Sequence, residues 1–256
     1  MPDDTPDDSA APTTVGPPCR AIILAGGRGT RLWPYTTTIP KPLMPLGDRP
    51  ILDVVLRQLR HAGFYRVTIV TGHLAELIEA YTGDGSRYGI RVDYLREEQP
   101  LGTAGGLAGV EGLDEPFLVL NGDVLTDFDF GAFLRRHRET DAVATIATTT
   151  KDIQIPLGVM HFAGPDSVDV VDYVEKPTLS YKASMGVYAF DPAVVDHIEP
   201  DVYLDFPDLV LRLIAADARV VADPSEAFWL DIGRPDDYEQ AQKDFERLHD
   251  QLLPGG

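Results

Sequence analysis

From Arg20 onward the chain alternates short apolar runs with amphipathic stretches, and that alternation limits the folds open to it. Ala21-Ile22-Ile23-Leu24 is followed by a helical pattern from Ile51 to Arg60, then by Val67-Thr68-Ile69-Val70, then by a second helical pattern from Leu74 to Tyr81. An apolar run without polar interruption suits a strand buried on both faces, and the 3.6-residue periodicity between such runs suits helices laid across a sheet. Further strands are expected at Arg91 to Leu95, Phe117 to Leu120 and Val143 to Thr148, with a helix at Phe130 to Arg138.

Repeated units of this kind predict an α/β fold with a Rossmann-like, doubly wound, mostly parallel sheet. Past Lys151 the pattern changes to strand-like runs at Gly158 to Phe162, Val168 to Val174 and Ser184 to Phe190, which predict a small antiparallel lid subdomain over about residues 151–190. A helix from Pro207 to Ala215 and another after Pro235 close the pattern. Residues 1–18, rich in aspartate and proline with almost nothing to bury, read as a disordered arm, and residues 19–256 as a single domain.

Composition excludes several roles. With 41 acidic against 22 basic residues the formal charge is −19, which repels a phosphate backbone, so no nucleic-acid partner is expected. Cys19 is the only cysteine, which rules out an intramolecular disulfide or a cysteine-ligated zinc site. None of the six histidines has the spacing of a ligand set. The chain starts Met-Pro-Asp-Asp, without a secretory leader, and has no apolar stretch long enough to span a membrane, so a cytoplasmic protein is expected.

In open α/β sheets ligands sit at the carboxyl ends of the strands, so the loops after Leu24, Leu95 and Leu120 are where chemistry is expected. After Leu24-Ala25 comes Gly26-Gly27-Arg28-Gly29-Thr30-Arg31, followed by Pro40-Lys41-Pro42. Glycines let backbone N–H groups approach a polyphosphate closely, and Arg31 and Lys41 supply cations in an otherwise acidic chain. The loop is not a dinucleotide fingerprint, because Leu32 stands where the third glycine would be, and no Gly-Lys-Ser/Thr follows to make a Walker loop.

The stretch from Leu24 to Pro45 resembles the opening of the sugar-1-phosphate nucleotidyltransferase family, LAGGxGTRLxPxTxxxPKPxxP, and the likeness continues to Trp229-Leu230-Asp231. The resemblance implies a nucleotidyltransferase that uses Mg²⁺, an NTP and a sugar-1-phosphate. It assigns NTP binding to Leu24, Ala25, Gly26, Gly27, Gly29, Thr30, Arg31 and Lys41, and to Glu97, Gln99, Gly102 and Thr103 of a base-recognition loop. It assigns the metal to Asp123, in Asn121-Gly122-Asp123, and to Asp231, in Trp229-Leu230-Asp231-Ile232-Gly233. It assigns the sugar phosphate to Gly158, Glu175, Lys176 and Ser184, where Ser184 stands in place of the asparagine of many relatives. Arg31, Lys41, Asp123, Lys176 and Asp231 would carry catalysis. A homodimer is compatible with the resemblance, though no residue pattern specifies one.

Because a phosphate monoester is already anionic near neutrality, no general base is demanded, and positioning with charge neutralisation is expected to dominate. For the base, a Glu97 or Glu98 carboxylate complements the adjacent N1–H and N2–H donors of guanine, whereas uracil and thymine set a carbonyl against it. GTP is therefore expected, and the resemblance of Pro100 to Gly105 to the loop of mannose-1-phosphate guanylyltransferases implies a mannose- or glucose-type sugar phosphate, with a thymidylyl- or uridylyltransferase as the alternative. A nucleotide-sugar glycosyltransferase could use Asp127-Phe128-Asp129 as a metal-holding pair, but that pair follows a strand end already taken by Asp123 and can instead cap the next helix. A catalytically silent regulatory paralogue would be expected to lack Asp123, Asp231, Lys41 or Lys176, and all four are present.

Overall fold

A computed structural model describes residues 19–253; the expected arm at 1–18 lies outside the described residues. In chain order the elements are β1 (Cys19–Ala25), β2 (Pro45–Leu46), β3 (Arg49–Pro50), α1 (Ile51–His61), β4 (Phe64–Thr71), α2 (Ala75–Thr82), β5 (Arg91–Arg96), β6 (Phe117–Asn121) and β7 (Val124–Thr126). There follow α3 (Phe130–Arg138), β8 (Ala144–Gln154), β9 (Gly158–Phe162), β10 (Val170–Glu175), β11 (Thr178–Phe190), α4 (Phe206–Ala215), β12 (Val220–Pro224), β13 (Trp229–Asp231), α5 (Pro235–Arg247) and α6 (His249–Leu252).

Seven strands form one sheet in the order β12-β8-β11-β6-β1-β4-β5. β1 is parallel to both β4 and β6, β4 to β5 and β12 to β8, and β11 alone runs antiparallel to its neighbours. The α/β class and mostly parallel sheet read from the sequence are therefore what the chain adopts.

Side-chain alternation along β1 explains why its run is uniformly apolar. Ala21, Ile23 and Ala25 point into one core with Leu52, Val55, Leu59, Phe130 and Phe133. Ile22 points into the other, with Val119, Phe190, Phe206 and Leu209. Each face of the sheet is thus covered by helices, and β1 is held from both sides. Helix α3 starts where Asp129 accepts a hydrogen bond from the Ala132 N–H at 2.8 Å, and Asp127 accepts one from the Phe228 N–H at 2.8 Å. Both carboxylates of the Asp127-Phe128-Asp129 pair are thereby engaged in holding the fold.

The small antiparallel sheet expected past Lys151 is present as the β9–β10 pair, and the core strands reach further toward it than expected. β8 runs on to Gln154 and β11 begins at Thr178, six residues before the expected Ser184, because the two core strands continue past the sheet as a paired ribbon, Ser180 opposite Asp152 and Leu179 opposite Ile153. The β9–β10 hairpin prolongs that ribbon, joined to it through an Ile155 N–H to Pro177 carbonyl bond at 2.9 Å. We call the projecting part, residues 151–182, the arm. At its root the β8–β11 register slips between Ser184 and Tyr188. Gly186 sits there at φ +70, a left-handed conformation, and a Cβ on it would lie 2.6 Å from Asn121 Nδ2. Strands β7, β12 and β13 had no counterpart in the sequence reading.

Candidate active site

A cavity of about 480 Å³ opens above the carboxyl ends of β1, β4 and β6. One wall is the loop leaving β1, with Leu24, Ala25, Gly26, Gly27, Gly29, Thr30 and Arg31; Lys41 and Pro42 come from the turn after it. Gly29 turns this loop at φ +60, where an added Cβ would lie 2.9 Å from Thr36 Cγ2. Its carbonyl accepts from the Leu32 N–H at 2.9 Å and from the Thr36 hydroxyl at 2.8 Å, which folds the loop back over the strand end.

Lys41 is only 8% exposed, and its ammonium is ion-paired with Asp123 Oδ2. The other carboxylate oxygen, Asp123 Oδ1, is buried and has no hydrogen-bond partner among the described residues. Asp231 is brought alongside by the antiparallel β13–β7 pair, which sets it opposite Val124, while the Ile232 N–H reaches the Asp123 carbonyl at 3.3 Å. Burial first, and then the negative charge of Asp123, push the Asp231 carboxyl above the usual range, with Lys41 and Arg31 pulling the other way. Two half-buried carboxylates, one oxygen of which is orphaned, form a hard-oxygen site with a deficit of positive charge. A divalent cation such as Mg²⁺ suits it. The described residues offer no cluster of three or more metal-ligating side chains, so water and substrate oxygens would complete such a shell.

The opposite wall is the loop after β5. Glu97 lines the cavity, whereas Glu98 and Gln99 line an adjoining depression of about 440 Å³ with Arg28, His73 and Arg96. The Glu97 carboxylate packs against two glycines: a Cβ on Gly106 would come within 2.5 Å of its Oε1, and one on Gly26 within 3.1 Å of its Oε2. Burial raises its pKa, partly offset by a hydrogen bond from the Leu101 backbone. Gly102 and Thr103 also line the cavity.

Seven lining residues had not been singled out as ligands: Pro42, Val70, Pro100, Asn121, Gly122, Tyr203 and Asp205. Asn121 and Pro42 stand inside motifs that were read, so their signal was adjacency. Tyr203 and Asp205 carry no motif. The Tyr203 hydroxyl donates to Asp205 Oδ2 at 2.8 Å, and Thr103 donates twice to Oδ1. Although burial raises it, these bonds from Tyr203 and Thr103 hold the Asp205 carboxyl below its usual range.

The remaining expected residues are not brought to the cavity. Gly158, Glu175 and Lys176 lie on the arm, where the Lys176 ammonium is 3.8 Å from Glu175 Oε1 and Tyr173 donates to Glu175 Oε2 at 3.3 Å. Ser184 Oγ accepts from the Gly186 N–H at 3.2 Å and lies 3.2 Å from the Tyr188 hydroxyl. Near the arm's root, Trp229 Nε1 donates to the Met185 carbonyl at 2.7 Å and Lys151 stacks its ammonium 4.7 Å from the Trp229 ring.

Fold and cavity together place the chain among α/β proteins with a polar cleft at the carboxyl ends of a parallel sheet. The sequence model of the nucleotidyl transferase family matches residues 20–247, and the chain belongs to that family. It is 35% identical over 240 residues to a UTP–glucose-1-phosphate uridylyltransferase of Synechocystis sp., covering 87% of this chain and 62% of that protein. It is 36% identical over 226 residues to the catalytic subunit beta of a mannose-1-phosphate guanylyltransferase of Danio rerio, covering 86% and 62%. The chain thus spans less than two thirds of these relatives' length. A solved Bacillus anthracis chain, provisionally described as a glucose-1-phosphate thymidylyltransferase and bound to sucrose, has a TM-score of 0.70 at 22% identity, covering 88% of this chain and 94% of that one. At that identity the likeness speaks for the fold alone.

Proposed function

We propose that the chain transfers a nucleoside monophosphate from an NTP to a sugar-1-phosphate, releasing pyrophosphate. The observation that carries this reading is the Lys41–Asp123–Asp231 cluster facing the glycine loop across one cavity. The glycine loop takes the triphosphate on its backbone N–H groups, and Arg31 holds the leaving phosphates. Lys41, fixed by its ion pair, neutralises charge at the α-phosphate as an oxygen of the sugar phosphate attacks in line, with no covalent enzyme intermediate. Asp123 and Asp231 would hold Mg²⁺, whose positive charge offsets that of the phosphates when bound. Lys176 binds the phosphate of the sugar phosphate and Glu175 a sugar hydroxyl, which requires the arm to bend toward the cavity; Gly158 and Ser184 border the sugar.

GTP is the proposed donor and a mannose-1-phosphate-like molecule the acceptor. Of the three candidate base readers, Glu97 is the one that lines the cavity, and an ionised carboxylate accepts from both guanine donors. No helix among the described residues is long and apolar enough to cross a membrane, in keeping with the cytoplasmic setting proposed here. The test is pyrophosphate release over a matrix of GTP, UTP, dTTP and ATP against sugar-1-phosphates. Highest kcat/KM with GTP and mannose-1-phosphate is expected. Preference for UTP or dTTP would remove the guanine reading, and no release with any pair would remove the reaction itself.

A further inference from the structure

Among the described residues that line the cavity, Tyr203 alone is aromatic, and it is 60% exposed. Its backbone is fixed all the same. The Leu204 N–H donates to the Leu101 carbonyl at 2.9 Å, and the Leu204 carbonyl accepts from the Ala104 and Gly105 N–H groups at 2.9 and 3.1 Å. Three main-chain bonds therefore fasten this segment to the base-side loop. The far end of the side chain is held as well, because the hydroxyl donates to Asp205 Oδ2 while Asp205 Oδ1 takes two bonds from Thr103. With both ends fixed, the side-chain torsions are set before any ligand arrives, and little entropy remains to be lost on contact. Yet no other ring and no cation packs on the Tyr203 ring among the described residues, whereas Tyr188 is stacked on Phe206 at 4.1 Å.

We infer that the Tyr203 ring is the stacking platform for the nucleobase, so that Glu97 reads the edge of the base and Tyr203 covers its face. The inference rests on the cavity holding an NTP, as proposed above. Charge decides which part of the nucleotide meets the ring. The Asp205 carboxylate bonded to Tyr203 repels phosphates, while the cations Arg31 and Lys41 stand with the glycine loop and Asp123, so the triphosphate belongs there. The base is neutral and flat, and an aromatic ring meets it in an offset stack. Leu24 and Val70, at the ends of β1 and β4, line the same cavity and add apolar surface for it. The residues proposed for the acceptor, Gly158, Glu175 and Lys176, lie on the arm outside the cavity, so the loop to which Tyr203 is fastened serves the donor. A purine presents two fused rings and a pyrimidine one, so the platform favours GTP and ATP over UTP and dTTP, and Glu97 then separates guanine from adenine.

Calorimetric titration of the full chain with GTP and with UTP, in Mg²⁺ and without an acceptor, tests it. Tyr203→Leu, which keeps apolar bulk and removes the π face, should raise the GTP Kd roughly 10- to 100-fold and the UTP Kd by a smaller factor. Tyr203→Phe, which keeps the ring and gives up the Asp205 bond, should stay within a few-fold of wild type. In steady-state assays Tyr203→Leu should leave the KM of the sugar phosphate unchanged. A Tyr203→Leu protein that binds GTP as wild type does, that loses both nucleotides by the same factor, or that loses only acceptor affinity would overturn the inference. So would a Tyr203→Phe protein as weak as Tyr203→Leu. A wild-type chain that binds neither nucleotide would remove the NTP site and the platform together, whereas one that binds GTP through Tyr203 and releases no pyrophosphate would lose the reaction and keep the platform.

Discussion

Thr103 gives both its donors to one oxygen of Asp205: the backbone N–H at 2.9 Å and the hydroxyl at 3.1 Å from Oδ1. The same hydroxyl oxygen accepts from the Phe206 N–H at 2.9 Å. The first turn of α4 is therefore capped from a loop 103 positions earlier, and the base-side loop is fastened to the core that Ala104 shares with Phe206.

Asp205→Ala should leave the Thr103 N–H without its partner and loosen that loop. A destabilisation of about 1–3 kcal/mol is expected, together with a rise in NTP KM that exceeds any change in kcat. Urea denaturation and steady-state kinetics measure the two effects. An unaltered KM in a destabilised protein would confine Asp205 to the fold.

The two candidate metal carboxylates should respond oppositely to amidation when no metal is present. Asp123→Asn leaves the Lys41 ammonium buried and unpaired, so Tm should fall. Asp231→Asn removes a carboxylate whose folded pKa is raised above its unfolded value. For such a group the stabilising contribution is present below the ordinary aspartate pKa and is lost as pH rises through the folded value, so at neutral pH the ionised side chain is a burden. Tm of Asp231→Asn should therefore match or exceed wild type at neutral pH, with the advantage vanishing in acid. Turnover should fall about 100-fold or more in both. Equal Tm shifts would contradict the charge arrangement.

Gly106→Ala should act at a distance on base choice. Its new methyl group would meet Glu97 Oε1 and displace the carboxylate, whereas Glu97→Gln replaces one acceptor with a donor in place. Both changes should reduce the GTP-over-UTP ratio of kcat/KM by roughly 10- to 100-fold. A ratio that survives Glu97→Gln would assign base reading to other groups.

Lys176→Ala should raise the KM for the sugar phosphate about tenfold or more with little change for NTP, and Arg31→Ala should do the converse, each losing one charge-assisted contact. Crossed titrations of the two substrates decide it. An NTP-only effect of Lys176→Ala would detach the arm from the acceptor.

What could be read from sequence was what is local. The glycine loop, the Asn121-Gly122-Asp123 strand end and Trp229-Leu230-Asp231 are contiguous, and the uniform apolarity of Ala21 to Leu24 already implied burial on both faces. Tyr203 and Asp205 were invisible because their position depends on two tight contacts between distant segments, Gly102 and Gly105 against the 202–204 backbone, where added Cβ atoms would lie 2.5 and 2.6 Å from carbonyl oxygens. Asp205 stands at the N-cap position of a helix that opens Phe-Pro, yet its side chain makes no cap bond. Strand β13, three residues long, is too short for a periodic signal, and both β12 and β13 are set by their partners, β8 and β7. The arm's extent was misjudged for the same reason: Thr178 to Ala183 show no core pattern because that half of β11 has no core to face.

Strand β11 thus passes from solvent to interior within 13 residues, and its register slip at Gly186 falls where exposed side chains give way to buried ones. A continuous ladder would make opening of the outer half pull on the inner half. The slip interrupts that transmission. Amide protons of Thr178 to Lys182 should exchange with solvent through local unzipping of the ribbon, while those of Val187 to Phe190, wedged between β6 and β8, should exchange only when the whole chain unfolds. The strand carries two cooperative units end to end, so the bending of the arm proposed for Lys176 would leave the β6 strand end, and with it Asp123, where it is.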